Sequence, residues 1–124
     1  MDLIYQEESY AIRGAIYEVY KELGCGFLES VYQEALEKEL SRSGIPFTDQ
    51  EELRVSYKGE FLAHSFRADI ICYDKIILEL KSVSELLPQH EAQLINYLKV
   101  SQLQLGFLIN FSAHPRVEIR RFVL

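Results

Sequence analysis

Asp69, Glu79 and Lys81 are the residues whose types and spacing invite chemistry. They fall in two stretches of period two, Phe61 to Tyr73 and Lys75 to Lys81, joined by a tight turn at Asp74. Strand side chains alternate between faces. Phe66, Ala68, Ile70 and Cys72 on the first stretch, with Ile76, Leu78 and Leu80 on the second, are all apolar, so this face is expected to pack on the core. Arg67, Asp69, Ile71 and Tyr73, then Lys75, Ile77, Glu79 and Lys81, occupy the other face. Keeping both apolar sets on one side requires odd positions to pair with odd ones. A turn centred on Asp74 provides that register and sets Asp69 opposite Glu79. Two carboxylates so placed repel by about 4 kcal/mol at about 4 Å and an effective dielectric near 20. The apolar run Ile76-Ile77-Leu78 leads straight into Glu79 and makes the strand interior, so a cation must lie between the acids. Lys81 supplies one charge. A divalent ion such as Mg²⁺, which prefers one or two carboxylates completed by water and substrate oxygens, would supply more. The same spacing also suits a salt-bridge cluster on a solvated edge strand, and spacing alone leaves both readings open.

Helices must position these residues. Ile12, Ala15, Ile16, Val19 and Leu23 recur at helical spacing until Gly24-Cys25-Gly26 stops the pattern. A second helix is expected from about Phe27, with Leu28, Val31, Tyr32, Ala35, Leu36 and Leu40 as its apolar stripe and Ser43-Gly44-Ile45-Pro46 as its end. Leu53 to Tyr57 alternates as a first strand before the hairpin. Pro88 suits the first turn of a third helix that runs to about Val100. On it His90, Gln93 and Tyr97 form one polar and aromatic stripe. Leu103 to Phe111 and Val117 to Val123 read as further strands. The order helix, helix, three strands, helix, two strands makes a mixed α/β domain whose sheet is covered by helices. His64 and His114 have no ligand-like spacing to any partner.

The 124 residues form one expected domain, 1–124, with no repeat or linker to divide it. No apolar run approaches the roughly 20 residues of a membrane span, and Met1 to Tyr10 does not resemble a signal peptide. With two widely spaced cysteines, Cys25 and Cys72, this points to a reducing, cytoplasmic setting in which both are small buried apolar residues. Thirteen Lys and Arg face nineteen Asp and Glu, a formal net charge of −6. That balance argues against holding a polyanion through bulk positive charge. The basic candidates are Arg116, Arg120 and Arg121, with Arg54 and Arg67 on the sheet; Arg116 and Arg120 share strand parity. Val117 to Val123 has the β-branched and aromatic content of an edge that could pair with a second copy as a homodimer.

Taken together, the pieces resemble a known family. Gly26-x-x-Glu29-x-x-Tyr32 is similar to the signature of the GxxExxY proteins. The likeness continues through Tyr57-Lys58-Gly59, Arg67-Ala68-Asp69, Glu79-Leu80-Lys81, His90-Glu91-Ala92-Gln93-Leu94, Asn96-Tyr97-Leu98 and Gly106 to Phe111. That family is placed in the PD-(D/E)XK nuclease superfamily. The resemblance therefore implies a restriction-endonuclease-like αβββαβ core with one extra N-terminal helix. It implies that Asp69 and Glu79 hold Mg²⁺ or Mn²⁺, with the Leu80 carbonyl and Glu29 as further ligands. Lys81 would be the motif lysine, and Gln93 and Tyr97 the Gln-x-x-x-Tyr element of some branches. Ala68 stands where many members have Pro. The implied activity is phosphodiester hydrolysis in DNA or RNA. The alternative is an interaction module on the same fold, without turnover or active only within a complex.

Overall fold

The protein is described by a computed structural model over residues 4–124; residues 1–3 of the expected domain lie outside it. Three helices, α1 (Gln6–Leu23), α2 (Glu29–Arg42) and α3 (Pro88–Ser101), surround strands β1 (Phe47–Tyr57), β2 (Glu60–Cys72), β3 (Ile76–Lys81), β4 (Leu105–Asn110) and β5 (Glu118–Val123). The strands form one sheet in chain order, so β1 and β5 are its edges. Neighbours are antiparallel except β3 and β4, which run parallel because α3 carries the chain back between them. No helix among the described residues is long and apolar enough to cross a membrane.

The two faces of the sheet bury different helices. Ile12, Ala15, Ile16 and Val19 of α1 and Tyr32, Leu36 and Leu40 of α2 pack with Ile70, Cys72, Ile76, Leu78, Leu80, Phe107 and Ile109. Leu94, Tyr97 and Leu98 of α3 pack with Leu53, Ala68, Ile71, Ile77 and Leu108 on the other side. Each such side chain contributes about 1.5–3 kcal/mol by leaving water. Leu28 and Val31, expected on the α2 stripe, are exposed. Leu28 is the extended residue that precedes the helix, so it never joins the stripe. Cys72 is buried and Cys25 is exposed in the loop after α1, so only one cysteine is the apolar core residue expected. Burial pushes the Cys72 thiol up to about 12.

The hairpin has the register the alternation predicts. Cys72 faces Ile76, Ile71 faces Ile77 and Ile70 faces Leu78. The turn is Tyr73-Asp74-Lys75, closed by the Lys75 N–H on the Cys72 carbonyl at 2.9 Å. The expected alternation nevertheless breaks at Asp69. Ile70 and Cys72 face α1 and α2, whereas Phe66 and Ala68 pack on the α3 side with Ile71. Opposite the break, Gln50 of β1 has φ 50°. Regular pairs resume on both sides of it, Asp49 with Ile70 and Glu51 with Ala68. The faces exchange across this pair on both strands, since Phe47 packs on the α1 and α2 side and Leu53 on the α3 side. β1 itself begins six residues before the expected Leu53, because the polar segment Thr48 to Glu52 is an exposed edge paired to β2.

Gly106 lies in β4 where α3 crosses closest. A Cβ built there would meet Leu94 Cδ1 at 2.8 Å and Cδ2 at 3.2 Å, and Leu94 is fully buried. Gly106→Ala is expected to destabilise the protein by about 1–3 kcal/mol through overpacking, measured by urea denaturation. An unchanged midpoint would mean that α3 is free to shift outward.

Candidate active site

β2 and β3 pair only at residues 70–72 of β2, so the two strands part at Asp69. Backbone groups released there need other partners. The Asp69 N–H donates to Glu79 Oε1 at 3.0 Å, and the Leu80 N–H donates to Asp69 Oδ2 at 2.8 Å. Each carboxylate replaces a strand carbonyl, and the acids are held by reciprocal bonds to one another's strand. Within a strand, the N–H and C=O of a residue point to the same edge. The Leu80 carbonyl therefore faces the gap as well. The Asp69 carbonyl accepts from Gln33 Nε2 of α2 at 2.8 Å.

Burial and mutual repulsion dominate the electrostatics. Glu79 is only 3% exposed. Burial first, and then the charge of Asp69, push its carboxyl up to about 8. Burial also raises Asp69, opposed by the Leu80 N–H and the Lys81 charge and assisted by the Glu29 charge. Burial raises both carboxyls, and an added positive charge favours their ionised forms.

Lys81 is aimed by α3. Its Nζ donates to Gln93 Oε1 at 2.9 Å, and Gln93 Nε2 donates to the Tyr97 hydroxyl at 3.1 Å. Tyr97 is locked in turn by packing against Phe66, ring centroids 5.2 Å apart. The structure thus brings Asp69, Glu79, Lys81, Gln93 and Tyr97 into one continuous set. His90, placed by spacing on the same stripe, does not join them. Its Nδ1 accepts the Leu87 N–H at 2.9 Å and caps the start of α3.

Glu29 stands at the mouth. Gly26, at φ 107°, turns the chain into α2. Tyr32 is fully buried, stacks on Phe111 at 4.5 Å, donates its hydroxyl proton to the Gly24 carbonyl and accepts the Phe27 N–H. The glycine and tyrosine of the Gly26-x-x-Glu29-x-x-Tyr32 pattern are therefore the frame that sets Glu29 on the first turn of α2. Glu29 Oε1 accepts the Ser82 N–H at 3.3 Å. With Gln33, Gln50, Asp69 and Leu80 it lines a cavity of about 380 Å³. Among the described residues no three His, Cys, Asp or Glu side chains converge as a ready metal-holding group, so Glu29, Asp69 and Glu79 do not form a preassembled cage. The donor chemistry that does fit a hard divalent ion is the Asp69 and Glu79 carboxylates with the Leu80 carbonyl.

Sequence reasoning missed Gln33, Gln50, Ser82 and Asn110. Gln33 had a signal, since it follows Glu29 by one turn on the same face of α2. Asn110 is buried, takes the Val83 and Ser112 N–H groups and donates to the Val83 carbonyl. It fastens the loop after β3, where Ser82 meets Glu29.

A profile of the PD-(D/E)XK nuclease superfamily matches residues 6–122. No curated protein is similar enough to match. The crystal structure of SSO0001 is similar in fold, with a TM-score of 0.60 at 21% identity, over 96% of this chain and 59% of that one. The chain thus spans a little over half the length of that protein. The shared architecture is the mixed α/β, restriction-endonuclease-like sheet with flanking helices.

Proposed function

Because this chain belongs to the PD-(D/E)XK nuclease superfamily, we propose that it hydrolyses phosphodiester bonds in nucleic acid at Asp69, Glu79 and Lys81. Within the superfamily we assign it to the GxxExxY group, on Gly26-x-x-Glu29-x-x-Tyr32, and read 1–124 as one nuclease domain. The observation that carries the reading is the reciprocal Asp69 and Glu79 pair at the point where β2 leaves β3, with Lys81 held beside it by Gln93.

Asp69, Glu79 and the Leu80 carbonyl would hold Mg²⁺ or Mn²⁺, with Glu29 at the mouth as a further ligand. When bound, such an ion lowers the pKa of a water and neutralises charge on phosphate oxygens. Lys81 donates to charge that grows on the phosphoryl oxygens, and its direction is set before substrate arrives. Gln93 fixes that direction by accepting from Nζ, and Tyr97 fixes Gln93.

Cleavage of labelled DNA and RNA in Mg²⁺ or Mn²⁺, compared between wild type and Asp69→Ala, tests the assignment. Wild type is expected to cleave and the variant to fall to background. The second reading, a non-catalytic interaction module, draws support from the net charge of −6 and the missing three-acid cage. It predicts no cleavage above Asp69→Ala on any substrate and no Mn²⁺ heat by calorimetry. Those two results together would replace the nuclease assignment.

A further inference from the structure

The hairpin of β1 and β2 continues well past the break at Asp69, pairing as far as Tyr57 with Glu60 but without β3 beside it. It becomes a two-stranded arm that overhangs α3, with Leu53 and Phe66 packed in the same cluster as Tyr97 and Val100. Between the arm and the last turn of α3 lies a cavity of about 370 Å³ whose lining includes Arg54, Ser56, Phe61, Lys99 and Gln102. Its lining holds two cations and no carboxylate. The α2 side of the site is the reverse, since Glu29, Glu34 and Glu37 line the cavity that Asp69 shares. Phosphates approaching there meet like charge. Of the basic residues expected on the last strand, Arg116 precedes β5, Arg120 is engaged by Glu91 and Glu118, and Arg121 lines with Arg13 a separate, smaller cavity of about 180 Å³ against α1.

We infer that a single-stranded stretch of the nucleic-acid substrate lies between the β1–β2 arm and the end of α3, with its phosphates on Arg54 and Lys99. This rests on the nuclease reading and names the substrate class and its path. The arm exposes Tyr57 (60%) and Phe61 (64%). The Arg54 guanidinium lies 4.5 Å from the Phe61 ring centre, and Lys58 Nζ lies 5.5 Å from that of Tyr57. Aromatic faces beside cations are the combination that stacks unpaired bases while holding their backbone. Bases inside a duplex present no such face. Among the described residues Arg54 pairs with Glu52 at 3.9 Å, an exposed pair too weak to cancel the cation. The cavity and the chemistry share one helix, because Lys99 follows Gln93, the partner of Lys81, by six residues on α3, about 9 Å along its axis.

The test is fluorescence anisotropy of labelled oligo(dT) and of a duplex, with Ca²⁺ replacing Mg²⁺ and salt varied. Wild type is expected to prefer the single strand. Arg54→Ala/Lys99→Ala should weaken binding about tenfold and lower the salt slope by about 1.4, the value for two phosphate contacts on a single strand. Glu34→Gln/Glu37→Gln should not weaken binding. An unchanged salt slope in the Arg54/Lys99 variant, or tighter binding of duplex, overturns this inference and leaves the nuclease reading intact. A wild type that binds neither nucleic acid overturns both.

Discussion

Lys81→Ala is expected to slow phosphodiester cleavage by about 10²–10³-fold with little change in stability, because it removes one fixed donor from the developing charge. Lys81 is partly exposed, and its partner Gln93 can take a water in its place, so the fold does not depend on the bond. The companion variant is Gln93→Ala, which keeps the lysine and removes its aim. Its loss should be smaller and should fall on kcat rather than KM, since Gln93 Oε1 accepts from the lysine and Nε2 is committed to Tyr97. Steady-state kinetics on a labelled oligonucleotide reads both. Equal rates for wild type and Lys81→Ala would remove the lysine from the chemistry and leave its bond to Gln93 as a packing feature.

Glu79→Gln is expected to stabilise the metal-free fold strongly near pH 8. In the folded chain the Glu79 carboxyl is raised from 4.5 to about 8 by burial and by Asp69. The unfolded chain therefore releases this proton near pH 4.5, while the folded chain keeps it until about pH 8. Between those values the unfolded state binds fewer protons, so stability is full below about pH 4.5 and is lost as pH rises through about 8. The loss is on the order of 5 kcal/mol. Asp69, raised for the same leading reason, adds in the same direction. Glutamine keeps an oxygen to accept the Asp69 N–H but cannot ionise. Urea denaturation in chelator should show wild type weakening from pH 5 to pH 8 and Glu79→Gln remaining nearly flat. Mg²⁺ or Mn²⁺ should restore wild type at pH 8 and do little for the variant, because the ion stabilises the doubly ionised pair. Parallel pH profiles for the two proteins would show that Glu79 ionises freely in the folded state.

Both predictions rest on residues visible in the chain, yet on properties that were not. The alternation of Ile70, Cys72, Ile76 and Leu78 determined the hairpin, its turn and the odd-to-odd register, because pleat and burial are local consequences of side-chain order. Helical spacing in Ile12 to Val19 and Tyr32 to Leu40 likewise determined two of the three helices. The start of β1 was hidden for a related reason. Thr48 to Glu52 is an edge facing solvent, so hydrogen bonding to β2 makes it a strand without any apolar pattern.

Only the tertiary structure decided how the acids are used. The expected single polar face across Arg67, Asp69, Glu79 and Lys81 is broken by Gln50, whose left-handed backbone carries no sequence mark of the kind glycine would leave. At the same level β2 parts from β3, and the two carboxylates take the place of strand carbonyls. Their high proton affinity follows from the burial of Glu79 under α3 and the nearness of Asp69, and both are sums over distant segments. The sequence by itself determined which acids and which lysine stand on adjoining strands. The packing of α2 and α3 on opposite faces decided that Gln33 would hold the Asp69 carbonyl, that Gln93 would hold the Lys81 ammonium, and that Arg54 and Lys99 would meet beneath the β1–β2 arm.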